Sequence, residues 1–157
     1  MEHTIGIKSE YLSSIASILN VTLADEFLLY TKTLNAHWNI EGPDFFEKHK
    51  YFESQYEELI EIMDALAERI RTIDHFALAT LKGFLQVTHL SEESAPYNDS
   101  KSFIKVLLND HESIIIYLRR NIRSFADEFH DQGTSDFITG ILEKHEKMAW
   151  MLREQLK

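Results

Sequence analysis

From Leu12 onward the apolar positions Ile15, Leu19, Leu23, Phe27, Tyr30 and Leu34 recur every three or four residues, the period of a helix that buries one stripe. The stripe predicts a first helix from about Ser9 to His37. Ile18, Val21 and Leu28 lie off it and predict a second covered face, with packing beyond the chain's own bundle. Asn39 to Pro43 breaks the pattern, and Asp44, with Glu47 three residues later, is a capping-box-like start for a second helix. That helix carries Phe45, Phe52, Tyr56, Leu59, Met63, Leu66, Ile70 and Ile73, and ends near Asp74. Between Ala77 and Leu90, Leu78, Leu81, Phe84 and Leu85 predict a small connecting helix, followed by a polar loop from Ser91 to Ser100. A third helix holds Ile104, Leu107, His111, Ile114, Leu118, Ile122 and Phe125. Gly133-Thr134 separates it from a fourth with Phe137, Ile141, Leu142, Met148 and Leu152. The expected fold is all-α: four long helices, with a short extra helix in the crossover between the second and the third.

The 157 residues, 44% of them hydrophobic, suffice for one domain with a substantial core, so 1–157 is read as a single unit with a short tail at about 1–8. No run approaches the roughly 20 apolar residues of a membrane span, and Met1 to Ser13 lacks a basic region followed by an apolar one. The expectation is a soluble, unexported, cytoplasmic protein with no membrane partner. Cysteine is absent, so any metal must be held by His and carboxylates. The net charge of -10 disfavours nucleic acid, whose affinity comes largely from Lys and Arg displacing counterions.

The second helix concentrates residues of that kind. His49 and Glu53 are four apart, as are Asp64 and Glu68, so each pair shares a helical face. Glu53 and Asp64 are eleven apart, a net rotation of only about 20°, but roughly 16 Å along the axis. One chain cannot close a single site with both pairs. A second copy, antiparallel across a two-fold axis near Glu58 and Leu59, would set His49 and Glu53 of one chain opposite Asp64 and Glu68 of the other, giving two equivalent sites per dimer. His37, at the end of the first helix, lies near the level of His49 and completes the first half-site. Two imidazoles and three carboxylates suit iron, with manganese or zinc as substitutes. Read one at a time, such residues are more often solvated helix faces or hydrogen-bonded core histidines, and spacing alone leaves the metal site and that bland reading about equal.

The stretch Leu34-Asn35-Ala36-His37-Trp38-Asn39-Ile40-Glu41-Gly42, continued by Phe45-Phe46 and His49, resembles the signature of the Dps proteins, DNA-binding proteins from starved cells, also called mini-ferritins. Met63-Asp64-Ala65-Leu66-Ala67-Glu68-Arg69-Ile70 is equally typical, and the similarity continues through Gly133 to Asp136 and Met148 to Leu152. The resemblance implies a ferritin-like four-helix bundle assembled as a hollow dodecamer of two-fold dimers. It implies ferroxidase centres at the dimer interfaces, with His37, His49, Glu53, Asp64 and Glu68 as catalytic and metal-binding residues. The family often has Asp where this chain has Glu53. The implied reaction is oxidation of Fe(II), commonly by hydrogen peroxide, with ferric mineral stored in the shell against oxidative stress. Trp38 falls close to the centre in the family, where it packs or takes up a stray oxidising equivalent. Asp131 and Asp136, joined by Asp127, match acidic positions that line a three-fold iron pore in relatives; a helix-capping role is the competing reading. His130 replaces a frequently small residue there. His111 and His145 lie on apolar stripes and read as core histidines.

Other functions fit less well. A conventional ferritin places its centre inside one bundle and uses Glu-x-x-His motifs; the chain has none, only Asp127-x-x-His130 beside a turn. A nucleoid-compacting role would call for a basic tail, but Met1 to Ser9 offers only Lys8 and the other end only Arg153 and Lys157. Weak or no DNA binding is expected at neutral pH. A shell with an inactive centre is the remaining alternative.

Overall fold

The computed structural model describes residues 5–157. Of the expected N-terminal tail, residues 1–4 lie outside the described part. Five α-helices follow in order: α1 Ser9–Asn39, α2 Phe45–Thr72, α3 Leu81–Val87, α4 Ser100–Arg123 and α5 Gln132–Glu154, with no strand among the described residues. The long helices pair as two hairpins, α1 with α2 and α4 with α5, and α1 packs against α3 and α4 as well.

The stripes read from sequence are the stripes buried. Leu59, Leu66, Phe52 and Ile70 of α2, Ile15, Leu19 and Leu29 of α1, Ile104, Leu107 and Leu118 of α4, and Ile138 and Leu152 of α5 are essentially inaccessible. Burying each such side chain is worth about 1.5–3 kcal/mol, so the stripes dominate the fold's stability. Leu28, expected on a face covered from outside the bundle, is buried within it; Ile18 and Val21 remain half-exposed. Phe45, expected in the α2 stripe, is 43% exposed.

By length and composition α1 could cross a membrane, contrary to the sequence expectation that no segment comes close. In the fold it is a central helix of the bundle, and three ionisable residues in its buried middle are partnered there. Asp25 accepts hydrogen bonds from Thr88 Oγ1 (2.6 Å) and the His89 backbone N–H (2.7 Å). Lys32 donates to the Ser91 carbonyl (3.0 Å) and pairs with Asp110 of α4. Glu26 meets His145 of α5, 2.7 Å from its Nε2, and His145 Nδ1 lies 2.9 Å from His111 Nδ1. Asp25 and Lys32 thus clip the crossover Thr88 to Ser91 onto α1, while Glu26, His145 and His111, all buried, tie three helices together. Both histidines are core residues, as their stripe positions indicated.

Two expected helix starts differ. Asp44 precedes α2 but makes no capping hydrogen bond; its carboxylate instead accepts from Ser100 Oγ at the start of α4, so the expected capping box does not form. Gly133 and Thr134 do not separate α4 from α5 but lie in the first turn of α5. The break comes earlier, where α4 widens into a π-helical turn over Ser124–Glu128 and His130 adopts φ +54°. That left-handed conformation is uncommon outside glycine, and His is among the side chains enriched there.

Candidate metal centre

The antiparallel turn between α1 and α2 brings His37 and His49 face to face. Ile40 N–H closes α1 on the Ala36 carbonyl, Gly42 takes φ +123°, and Glu41 N–H is held by the Asn98 carbonyl of the crossover (2.8 Å). The imidazoles stack with centroids 3.8 Å apart and planes 19° from parallel. Each also reaches across to the other's backbone: His37 Nδ1 is 2.8 Å from the His49 carbonyl, and His49 Nδ1 is 2.7 Å from the His37 carbonyl. A carbonyl oxygen only accepts, so both Nδ1 atoms carry the donated proton. A neutral imidazole in that tautomer has its lone pair on Nε2. Both rings are thereby fixed in orientation with Nε2 free to accept, the arrangement in which outer hydrogen bonds set a histidine that can bind a metal.

Aromatic side chains wall the pair. Phe45 stacks on His49 at 5.2 Å, which accounts for its departure from the apolar stripe, and Tyr56 meets His37 edge-on at 5.2 Å and 77°. His37 is buried and His49 half-buried between the two helices.

Glu53 lies one turn beyond His49 on the same face. Its carboxylate is taken by Lys50, Nζ to Oε2 2.7 Å, and this hydrogen bond holds Glu53 below the usual carboxylate range while raising Lys50. Lys50 therefore occupies the place of a cation on a candidate ligand, a feature missed in the sequence although Lys-x-x-Glu spacing on a helix signals it.

Asp64 and Glu68 lie eleven and fifteen residues past Glu53 along the same straight helix. Both are exposed and neither has an ion-pair partner among the described residues. Within one protomer they are not brought to His37, His49 and Glu53; among the described residues, no group of three or more His, Asp or Glu side chains in the single chain could hold a metal ion. In the single chain the two groups of candidate ligands, His37, His49 and Glu53 on one side and Asp64 and Glu68 on the other, stay apart. Trp38, next to His37 in the chain, is 67% exposed.

The three acidic residues of the α4–α5 turn part company. Asp127 and Asp136 are exposed, and Asp136 accepts from Gln132 Nε2 (2.8 Å). Asp131 is 4% exposed and caps α5: its Oδ1 accepts from Thr134 N–H (2.9 Å), and Arg69 of α2 donates to the same carboxylate (3.1 Å) and to Thr134 Oγ1 (2.8 Å). Gly133 leaves room for that guanidinium, since a Cβ there would sit 3.3 Å from Nη2. In the protomer Asp131 serves as the N-cap of α5 and the partner of Arg69.

Comparison with known proteins agrees with this architecture. The model of the ferritin-like domain matches residues 16–157. An uncharacterized low temperature-induced protein of Nostoc is 42% identical over 95% of this chain and 83% of its own length. DNA protection during starvation protein 2 of Bacillus anthracis is 34% identical over 88% of this chain and 94% of its own. Among solved structures, the Dps protein of Vibrio cholerae O1, described as a member of a broad superfamily of ferritin-like diiron-carboxylate proteins, superposes with TM-score 0.92 at 32% identity, covering 99% of this chain and 96% of that one.

Proposed function

From the premise that the chain belongs to the Dps group of the ferritin-like family, we propose that it is an iron-storing ferroxidase whose centre is shared by two copies. His37, His49 and Glu53 of one protomer bind Fe(II) together with Asp64 and Glu68 of a second protomer, related by a two-fold axis near the middle of α2. The observation that carries the reading is the reciprocal pair of hydrogen bonds between His37 and His49, which leaves both Nε2 atoms available beside Glu53. Nitrogen and carboxylate oxygen donors without thiolate suit Fe(II), with Zn(II) or Mn(II) as substitutes.

Iron is the substrate, and hydrogen peroxide the proposed oxidant: two Fe(II) and one H2O2 with two protons give two Fe(III) and two waters, so no hydroxyl radical escapes. The protein's residues bind the cations, hold both imidazoles in the metal-accepting tautomer and limit water through Phe45 and Tyr56. Closed two-fold association extended to a dodecamer provides the cavity in which ferric mineral is kept, in the cytoplasm and against oxidative stress. Asp127 and Asp136 are the acidic side chains suited to drawing cations towards an opening between copies. The -10 charge makes DNA binding weak or absent at neutral pH, which a gel-shift at low salt checks.

The decisive assay adds Fe(II) and peroxide to the purified protein and follows ferric absorbance beside a His37→Ala, Asp64→Ala double variant. The variant should fall to the uncatalysed rate. Equal rates would sink the assignment.

A further inference from the structure

Phe45 and Tyr56 each place a ring 5.2 Å from one of the two imidazoles, and Trp38 follows His37 in the chain. Trp38 is 67% exposed in the single protomer and forms no ring pair with His37 or His49 among the described residues. Phe45 covers His49 but has no proton to give up, which makes it a poor one-electron donor. Tyr56 is half-buried, three residues after Glu53 and seven after His49 on the same face of α2, with its ring edge-on to His37 at 5.2 Å. Behind it stands Tyr30 of α1, at a centroid distance of 6.2 Å and 83°, and beyond that Phe27, 6.1 Å from Tyr30. Two oxidisable phenols thus lead from the candidate centre into the α1–α2 seam.

The geometry points to Tyr56 as the electron donor that completes peroxide reduction when a centre holds a single Fe(II), with Tyr30 as the next station. This inference rests on the ferroxidase reading. One Fe(II) supplies one electron, whereas cleaving the O–O bond to two waters takes two. With Tyr56 the step balances: H2O2, Fe(II), the Tyr56 phenol and one solvent proton give two waters, Fe(III) and the neutral Tyr56 phenoxyl radical. The O–O bond breaks, one electron leaves Fe(II) and one leaves the phenol, and the phenolic proton and the solvent proton both end on oxygen. A later Fe(II) returns an electron, and with a solvent proton restores the phenol. The sum is two Fe(II) oxidised per peroxide, the same stoichiometry as with both irons present at once. Transfer of the radical to Tyr30 is an exchange of an electron and a proton between like phenols, and moves the oxidising equivalent one ring further from the imidazole pair.

The assembled protein, given one Fe(II) per centre anaerobically and then one equivalent of peroxide, is frozen within milliseconds and read by electron paramagnetic resonance. Ferric absorbance is recorded on the same samples. Wild type should show a tyrosyl radical that narrows when the protein carries ring-deuterated tyrosine. Radical per Fe(III) formed should fall at least fivefold in Tyr56→Phe, with a matching rise in spin-trapped hydroxyl radical. Tyr30→Phe should change the lifetime of the signal, and Trp38→Phe should leave its line shape and yield as they are. Fe(III) without any tyrosyl signal, or a signal undiminished in Tyr56→Phe, overturns the inference and leaves the ferroxidase reading standing. No Fe(III) in wild type removes both.

Discussion

Asp131 offers a sharp choice between a pore and a joint. Replacing it with Ala removes the N-cap of α5, whose acceptor sits 2.9 Å from Thr134 N–H, and a capping loss of this kind costs about 1 kcal/mol. It also strips Arg69 of its carboxylate. Breaking a fully buried pair costs about 3–5 kcal/mol, but the Arg69 side chain is 26% exposed and keeps its bond to Thr134 Oγ1, which reduces this loss to about 1 kcal/mol. The sum, about 2 kcal/mol, corresponds to a fall of about 4–8 °C in the melting temperature for a chain of this size. Asp127→Ala and Asp136→Ala alter exposed side chains and should stay within about 0.5 kcal/mol of wild type. Urea unfolding followed by far-ultraviolet circular dichroism, at one fixed protein concentration, makes the comparison. An Asp131→Ala protein as stable as wild type, yet slow to take up iron, would refute the reasoning and return Asp131 to the pore.

Other outcomes follow from the same interactions. His111 is held well below its ordinary value of 6.5, first by burial and then by His145, so the folded chain resists a proton that the unfolded chain accepts. Its contribution is complete well above pH 6.5 and is lost as pH falls through and below that value; denaturant midpoints should decline more gently in His111→Gln between pH 6.5 and 5.5, and parallel declines would contradict this. Lys50→Met frees Glu53 from its resident cation, and Co(II) titration at neutral pH should show an affinity about twofold higher, as expected for loss of one exposed ion pair. A weaker affinity would mean that Lys50 supports the site instead of competing for it. Asp25→Asn should loosen the crossover, seen as faster amide exchange at His89, whose N–H it accepts, with α5 exchange unaltered.

Much of this was legible in the chain because it depends on periodicity. The stripe of Phe52, Leu59, Leu66 and Ile70 and the four-residue steps His49 to Glu53 and Asp64 to Glu68 survive folding unchanged, since a helix fixes which side chains share a face. The Asp44–Glu47 signal failed because a competing partner, Ser100, lies 56 residues away in sequence, and local patterns carry no information about it. Gly133 was misplaced for a similar reason: its role is to admit Arg69 from α2, while His130 makes the turn with a backbone conformation that glycine usually supplies. The charged residues Asp25, Glu26 and Lys32 in the middle of an apolar helix were the available hint of buried partners on the crossover, α4 and α5. The tautomers of His37 and His49 depend on carbonyls positioned by a turn, and no spacing rule supplies those.

The central claim is that a centre takes its histidines from one chain and Asp64 and Glu68 from another, and subunit mixing tests it directly. His49→Ala and Asp64→Ala proteins, each inactive alone, are dissociated, mixed in equal amounts and reassembled before Fe(II) and peroxide are added. Half of randomly formed two-fold pairs join unlike chains, and each such pair has one centre with all of its ligands, so activity should return to about a quarter of the wild-type rate. A mixture no more active than its components would place the whole centre within a single chain and contradict the account.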